Sequence, residues 1–286
     1  FSRLANTGVE PVLLKRQYRC HPVLGTLASD LFYDSKLVNG VSLQDRSPLV
    51  KNWPALLFFN SSGQEAQHSG GSFANVQEAD FIIWLVKSLS ENGVSGGKIG
   101  IICFYKAQEI HIREALQTAD SGCGVQVSSV DAFQGGEKEI IIVSCCRTSG
   151  LGFTASRNRM NVAITRARRH LVVVGDSRVM AQDQHWKTIL GRANTLPGGR
   201  RDAGKYKASS PDLSVCPIVN EEEEVNKTKD NELDCEVDES PVKYEPKRKK
   251  ATTAPKRGTT EPGFLRRLQP ARQATRRRHA AGRLRL

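Results

Sequence analysis

A chain of 286 residues, 38% hydrophobic and 25% charged, has room for one or two ordinary globular domains and carries a formal net charge of +12. No apolar run approaches the roughly 20 residues of a membrane span, the N-terminus lacks a signal-peptide pattern, and seven cysteines show no CxxC pair, which argues against a membrane protein, a secretory leader, a zinc site or a disulfide framework. The expectation is a soluble intracellular protein with reduced thiols, and since residue 1 is Phe, upstream sequence is expected to be missing.

Leu13 and Leu14 precede a polar run to Pro22, which suits the first turn of a helix whose Leu24, Leu27, Ala28 and Leu31 fall at helical spacing. Residues 34–54, with Asn39-Gly40, Pro48 and Pro54, read as irregular. A strand is predicted over 55–59, closed by Asn60-Ser61-Ser62-Gly63. Asn75 with Glu78 resembles a capping box ahead of a helix whose face is Val76, Ala79, Ile82, Ile83, Val86 and Leu89, ending near Asn92-Gly93. Then come a strand over 99–104, a helix over 107–118 and a strand over 125–130. Residues 139–146 are apolar and rich in β-branched side chains, as suits a strand buried on both faces of a parallel sheet. An arginine-bearing helix over 161–168, a strand over 171–176 and a helix over about 179–190 complete the alternation.

Such βαβα order predicts an α/β fold, a parallel sheet flanked by helices, over residues 1–195. Its loops are expected at strand ends, where open sheets of this kind bind ligands. Lys and Arg outnumber Asp and Glu only 20 to 16 over residues 1–190, but 22 to 14 over 191–286. Acidic residues 212–239 and basic residues 240–286 lack the apolar surface to offset ordering entropy, so 196–286 is expected to be a disordered tail.

The chain has no Gly-x-x-x-x-Gly-Lys-[Ser/Thr] loop to cradle phosphates. Three segments nevertheless carry groups suited to a triphosphate: Arg19 beside Tyr18, Gly135-Gly136 beside Glu137, and Arg166 within the predicted helix. Guanidinium groups bind phosphate oxygens in a fork and stabilise charge developing on a departing phosphoryl group, and Tyr18 offers a stacking ring. Each also has a plain reading: a surface ion-pair arginine or a glycine turn. Cys145-Cys146 reads as core, and His21, His111 and His170 lack metal spacing, so no metal ligands are assigned.

Taken together, Leu14-Lys15-Arg16-Gln17-Tyr18-Arg19-Cys20-His21-Pro22, residues 127–137 and residues 161–168 resemble, in order, three late motifs of superfamily 1 helicases of the up-frameshift type, the group that includes senataxin. Residues 99–108 resemble that family's motif IV. The likeness spans residues 8–190 and leans toward helicases carrying a GRF-type zinc finger. It implies the second RecA-like lobe of the P-loop NTPase superfamily, with ATP bound in the cleft between two such lobes.

Under that resemblance Tyr18 would stack on adenine, Arg19 and Arg166 would be arginine fingers on the γ-phosphate, and Glu137 would contact the ribose with Gly135 close by. Gln134, at the nucleotide, and Asp131 would couple it to the nucleic-acid groove. Ser128, Ser129 and the backbone of residues 102–105, including Tyr105, would contact strand phosphates, which fix register without reading sequence. The phosphate loop and the ligands of Mg2+ would lie on a first lobe of the same full-length protein, a partner beside single-stranded DNA or RNA. Alone, the chain would be nearly inert as an ATPase; in the whole protein it would unwind 5′ to 3′.

The family usually has Met where Cys20 stands, Arg where Gly136 stands and Thr-Pro where Cys103-Phe104 stand. A rival reading is a truncated, catalytically silent isoform that binds nucleic acid or a protein partner through its basic end. Pro246-Lys247-Arg248-Lys249-Lys250 has the composition of a nuclear import signal, so residence is expected in the nucleus, with or without a cytoplasmic share.

Overall fold

Short apolar runs become strands and amphipathic runs become the helices that cover them, in a computed structural model that describes residues 7–8, 12–118 and 123–217. The chain divides into the units Phe1–Lys229 and Asp230–Leu286, and every described residue belongs to the first. The described strands are β1 (Arg16–Gln17), β2 (Val38–Asn39), β3 (Leu56–Asn60), β4 (Glu65–Gln67), β5 (Phe73–Asn75), β6 (Ile99–Cys103), β7 (Gln126–Ser129), β8 (Lys138–Ser144), β9 (Ala167–Gly175) and β10 (Arg200–Asp202). The α-helices are α1 (Pro22–Phe32), α2 (Val76–Glu91), α3 (Lys106–Thr118), α4 (Arg157–Ile164), α5 (Ser177–Met180), α6 (Gln184–Thr195) and α7 (Ala203–Ala208).

Six strands pair in the order β10-β3-β9-β8-β6-β7, all parallel, so every strand starts on one edge of the sheet and ends on the other. Two small ladders lie outside this sheet, β1 with β2 parallel and β4 with β5 antiparallel. Strand side chains alternate between faces. Phe58, Ile141, Val143, Leu171 and Val173 therefore pack with Leu24 and Leu27 of α1, Met160 of α4, and Trp186 and Ile189 of α6. Phe59, Ile101, Ile142, Val172 and Val174 pack on the other side with Ile82, Leu85 and Val86 of α2, Ile112 of α3 and Tyr206 of α7. Burial on both faces is why the central strands read as unbroken apolar runs.

The predicted α/β fold is present, and several of its details are corrected. The helix expected over 179–190 is two, α5 and α6, because the Asp183 carboxylate accepts hydrogen bonds from the His185 and Trp186 amides and starts a new helix. Only half of the capping box forms. The Asn75 side chain accepts from the Glu78 amide at 3.0 Å, but the Asn75 amide donates to Gln108 and the Glu78 carboxylate turns into the core. Arg166 is not in a helix, since α4 stops at Ile164, where Thr165 folds its hydroxyl back onto the Asn161 carbonyl. Within 34–54, Val38–Asn39 pairs with β1, and Leu49 and Val50 are buried.

The boundary at 195 also moves. Residues 196–217 are ordered: β10 extends the sheet beside β3, Trp53 donates to the Tyr206 hydroxyl at 3.0 Å, Leu213 is buried, and Val215 bridges to Val50. A strand whose residues are Arg200, Arg201 and Asp202 has no apolar signature because it occupies the sheet edge, where charge is tolerated and discourages further pairing. The expectations for 218–286, including Pro246–Lys250 as an import signal, lie outside the described residues.

Candidate nucleotide site and nucleic-acid interface

At the edge where strands begin, Lys138 of β8 is in register with Ala167 of β9, and the Lys138 amide donates to the Arg166 carbonyl at 3.2 Å. The residues just before these strands, Glu137 and Arg166, are therefore neighbours. Residues 17–21 dock on the same edge, with the His21 amide donating to the Arg168 carbonyl at 2.7 Å. Gln17 shapes this run, its side-chain oxygen accepting from the Arg19 and Cys20 amides at 2.9 and 2.8 Å.

Arg19 so placed donates from Nε to Glu137 Oε2 at 2.5 Å and from Nη1 to the Thr165 carbonyl at 3.3 Å. Arg168 approaches the other Glu137 oxygen at 3.7 Å. The Arg19 hydrogen bond, and then the charges of Arg19 and Arg168, hold the Glu137 carboxyl below its ordinary value against the effect of burial. Arg166 is different: its Nε donates to the Val162 carbonyl at 3.2 Å, and no carboxylate among the described residues forms an ion pair with it. Burial, and then the charge of Arg19, push its guanidinium below the ordinary value. Arg19 and Arg166 line one cavity of about 190 Å³ with Gln17, Cys20, Tyr33 and Thr165. Two like charges facing one recess favour an anion between them. Burial pushes the Cys20 thiol beside them up to about 11, so it stays protonated.

Tyr18, between the cavity-lining Gln17 and Arg19 in the chain, is 63% exposed as a residue. A Cβ at Gly40 would collide with the Tyr18 ring, so the glycine is what lets Tyr18 lie flat against the backbone. Arg46 fixes the segment from behind, donating to the Tyr18 and Arg19 carbonyls at 2.8 Å each. Gly135 adopts φ +91°, with open space where a side chain would be, and Gln134 is exposed beside it. The sequence thus places Tyr18, Arg19, Glu137 and Arg166 together, but on the edge opposite to the one expected. Open sheets bind ligands at loops that leave strands, whereas Glu137 and Arg166 precede β8 and β9, and Tyr18 and Arg19, between the short β1 and α1, dock beside them.

The other edge gathers the second set. Ser129 and Ser144 are both in register with Cys103, so β7, β6 and β8 end level. Ser128 Oγ is buried without a hydrogen-bond partner, and Ser129 Oγ accepts from the Ala132 amide at 3.4 Å. Asp131 is exposed, and its carboxylate is gripped by both ends of the Arg159 guanidinium, at 2.8 and 3.2 Å. Tyr105 is 3% exposed, and its hydroxyl accepts from Arg147 at 3.0 Å and from the Phe153 amide at 2.8 Å. Its side chain braces this edge, and the expectation for strand phosphates concerns the backbone of residues 102–105.

Arg147, Phe153 and Arg159 were not read from the sequence. Arg147 is half of a largely buried pair with Glu65 at 2.9 Å and packs over the Phe73 ring. Burial of Glu65 raises its carboxyl, but hydrogen bonds from Arg147, from Ser149 and from the amides of Thr148 and Ser149 outweigh this and hold it at about 2. The available signal was an arginine directly after an apolar strand, where the chain turns out of the core. Residues 130–137 join the two edges, running back from the end of β7 to the start of β8, and Phe133, fully buried, pins them midway against Gly100.

Comparison with known proteins gives relatives for this arrangement. Residues 1–178 match the family described as "AAA domain". The chain is 44% identical over 209 residues to the mouse protein "5'-3' DNA helicase ZGRF1", covering 72% of this chain and 11% of that protein. It is 39% identical over 205 residues to "Regulator of nonsense transcripts 1" of Caenorhabditis elegans, covering 66% of this chain and 19% of that protein. The chain thus spans between about a tenth and a fifth of the length of these relatives. A solved structure, the C-terminal domain of a possible DNA helicase from Lactobacillus plantarum, overlays with a TM-score of 0.35 at 14% identity, covering 56% of this chain and 88% of that one.

Proposed function

This chain belongs to the AAA-domain superfamily 1 helicases of the up-frameshift type, and from that premise we propose that it is the second RecA-like lobe of an ATP-driven motor acting on single-stranded nucleic acid. The observation that carries the reading is the pair Arg19 and Arg166, brought from opposite ends of the domain into one recess where Arg166 has no carboxylate partner among the described residues. A triphosphate fits this recess because it supplies the missing negative charge.

In this reading Arg166 is free to grip the γ-phosphate, and Arg19 is latched to Glu137 until phosphate oxygens compete for it. Both guanidinium groups then stabilise charge that develops as the γ-phosphoryl leaves. Tyr18 offers its ring to the adenine, and Glu137, released from Arg19, takes the ribose, with Gly135 and Gln134 alongside. ATP with Mg2+ supplies the phosphoryl group. Its phosphate loop and metal ligands are assigned to a first lobe, so residues 1–286 alone turn over ATP only negligibly.

On the opposite edge Ser129 and neighbouring amides take the strand phosphates, while the buried hydroxyl of Ser128 does not face them. Residues 130–137 carry displacement between edges, with Asp131 and Gln134 along that path. Movement 5′ to 3′ is proposed, in keeping with the name of the mouse relative. The test is Arg166→Ala in a protein carrying both lobes. ATP turnover should fall on the order of a thousandfold or more, the usual effect of losing an arginine finger, and undiminished turnover would remove the assignment. A silent binding module would instead show single-strand affinity confined to residues 218–286, beyond the last residue of the described domain, and steeply weakened by salt.

A further inference from the structure

The edge assigned to the strand contains one exposed aromatic side chain that the assignment does not use. Phe153 lies in the 3-10 turn Gly152–Ala155, between β8 and α4, with its residue surface 54% exposed. Single exposed rings are common and by themselves mean little. This one is held by specific chemistry. Gly152 sits at φ +50°, and a Cβ there would collide with the Tyr105 hydroxyl and the Arg147 guanidinium, so the turn closes on Tyr105 only with glycine. The Tyr105 hydroxyl accepts from the Phe153 amide at 2.8 Å, and the two rings pack 5.4 Å apart at 32°. Tyr105 is in turn fixed by Arg147 at 3.0 Å and by an edge contact with Phe73.

The Arg159 guanidinium carbon lies 4.8 Å from the centre of the Phe153 ring, and both its donating nitrogens are held on Asp131. We propose that Phe153 and Arg159 form a stacking platform for one base of single-stranded nucleic acid, an assignment that rests on the strand reading of this edge. The Asp131 carboxylate matches the charge of Arg159, so the platform presents flat π surface more than positive charge. That suits a base face and not a phosphate. Aromatic rings and guanidinium planes are the surfaces on which unpaired bases stack, with little regard to sequence. The platform shares Asp131 and Tyr105 with the loops that lead from Ser129 and Cys103, so a strand whose phosphates meet those loops has its bases within reach of Phe153.

The test compares the full chain binding a short oligothymidylate and an abasic strand of equal length. Both strands have the same backbone charge, so phosphate and tail contributions cancel in the ratio of the two affinities. The wild type should prefer the base-bearing strand by about tenfold, the scale of one stacked base. Phe153→Leu should lose most of that preference, Phe153→Trp should keep it, and all three should bind the abasic strand alike. A Leu variant with the full preference, or a wild type with none, overturns the platform. Failure of the underlying reading looks different: neither strand would then protect the backbone amides of residues 104–106 and 128–132 from hydrogen exchange, and both proposals would fall.

Discussion

His170 is an ordinary-looking residue in a strand, yet it is 1% exposed and joins β9 to the segment entering β3. Its Nδ1 donates to the Pro54 carbonyl at 3.0 Å while Nε2 accepts from the Leu49 and Val50 amides at 2.9 and 3.3 Å, an arrangement that needs the neutral ring. Burial lowers its titration to about 4 from 6.5. The unfolded chain therefore binds a proton between these values that the folded chain refuses, and His170 withdraws about 3 kcal/mol of stability as pH falls from 6.5 to 4. Glu78 acts in the other direction. Buried and accepting from Ser144 and the Cys146 amide, it is raised by burial to about 7, so its contribution is complete below 4.5 and is lost as pH rises through 7. Wild-type stability should thus change little across this window, because the two trends offset. Urea midpoints measured from pH 4.5 to 7.5 should fall steeply on acidification in Glu78→Gln and rise on acidification in His170→Asn. Parallel profiles for the three proteins would show that neither group titrates as described.

Elements that bury continuous apolar surface were legible in the sequence: β3, β6, β8 and β9, covered on both faces, follow from unbroken apolar runs, and the helices α1 and α2 from their periodicity. The convergence of Arg19 with Arg166 came from motif order, since spacing alone cannot bring together residues so far apart in the chain. What escaped was decided by single polar contacts or by partners distant in sequence. Asp183 splits one helix into two, Thr165 ends α4 one residue before Arg166, and Tyr105 is buried because Arg147 and the Phe153 amide use its hydroxyl. β10 escaped for another reason, being a charged edge strand supported through α7 and residues 213–215 by segments around Trp53 and Val50. Truncation after residue 195, the boundary the sequence suggests, would strip Tyr206 and Leu213 from the core and open the edge of β3. Such a protein should lose several kcal/mol, at about 1.5–3 kcal/mol for each large buried side chain, and unfold at lower temperature than one ending at 217. Equal melting temperatures for the two would show that residues 196–217 add nothing.

Across the whole domain, the cluster proposed to bind nucleotide occupies the edge where strands begin, and the loops proposed to face nucleic acid occupy the edge where they end. A motor built this way needs a mechanical link through the thickness of the sheet. The strands themselves are packed on both faces, whereas residues 130–137 leave the ladder at Ser129, pass over Gly100 and re-enter it at Lys138, with Asp131 tied to Arg159 near one end and Glu137 tied to Arg19 at the other. In that reading Phe133 serves as the pivot, its ring fully buried against Gly100, where any larger residue would collide with it. Replacing it by Leu keeps the site apolar but leaves space around the pivot, so the two ends of the segment can shift independently. In a protein with both lobes, Phe133→Leu should leave ATP turnover without nucleic acid close to wild type and lose most of its stimulation by single strands. A fall of both rates in proportion would mean that Phe133 supports only the nucleotide site, and full stimulation would mean that the coupling runs through the packed strands instead.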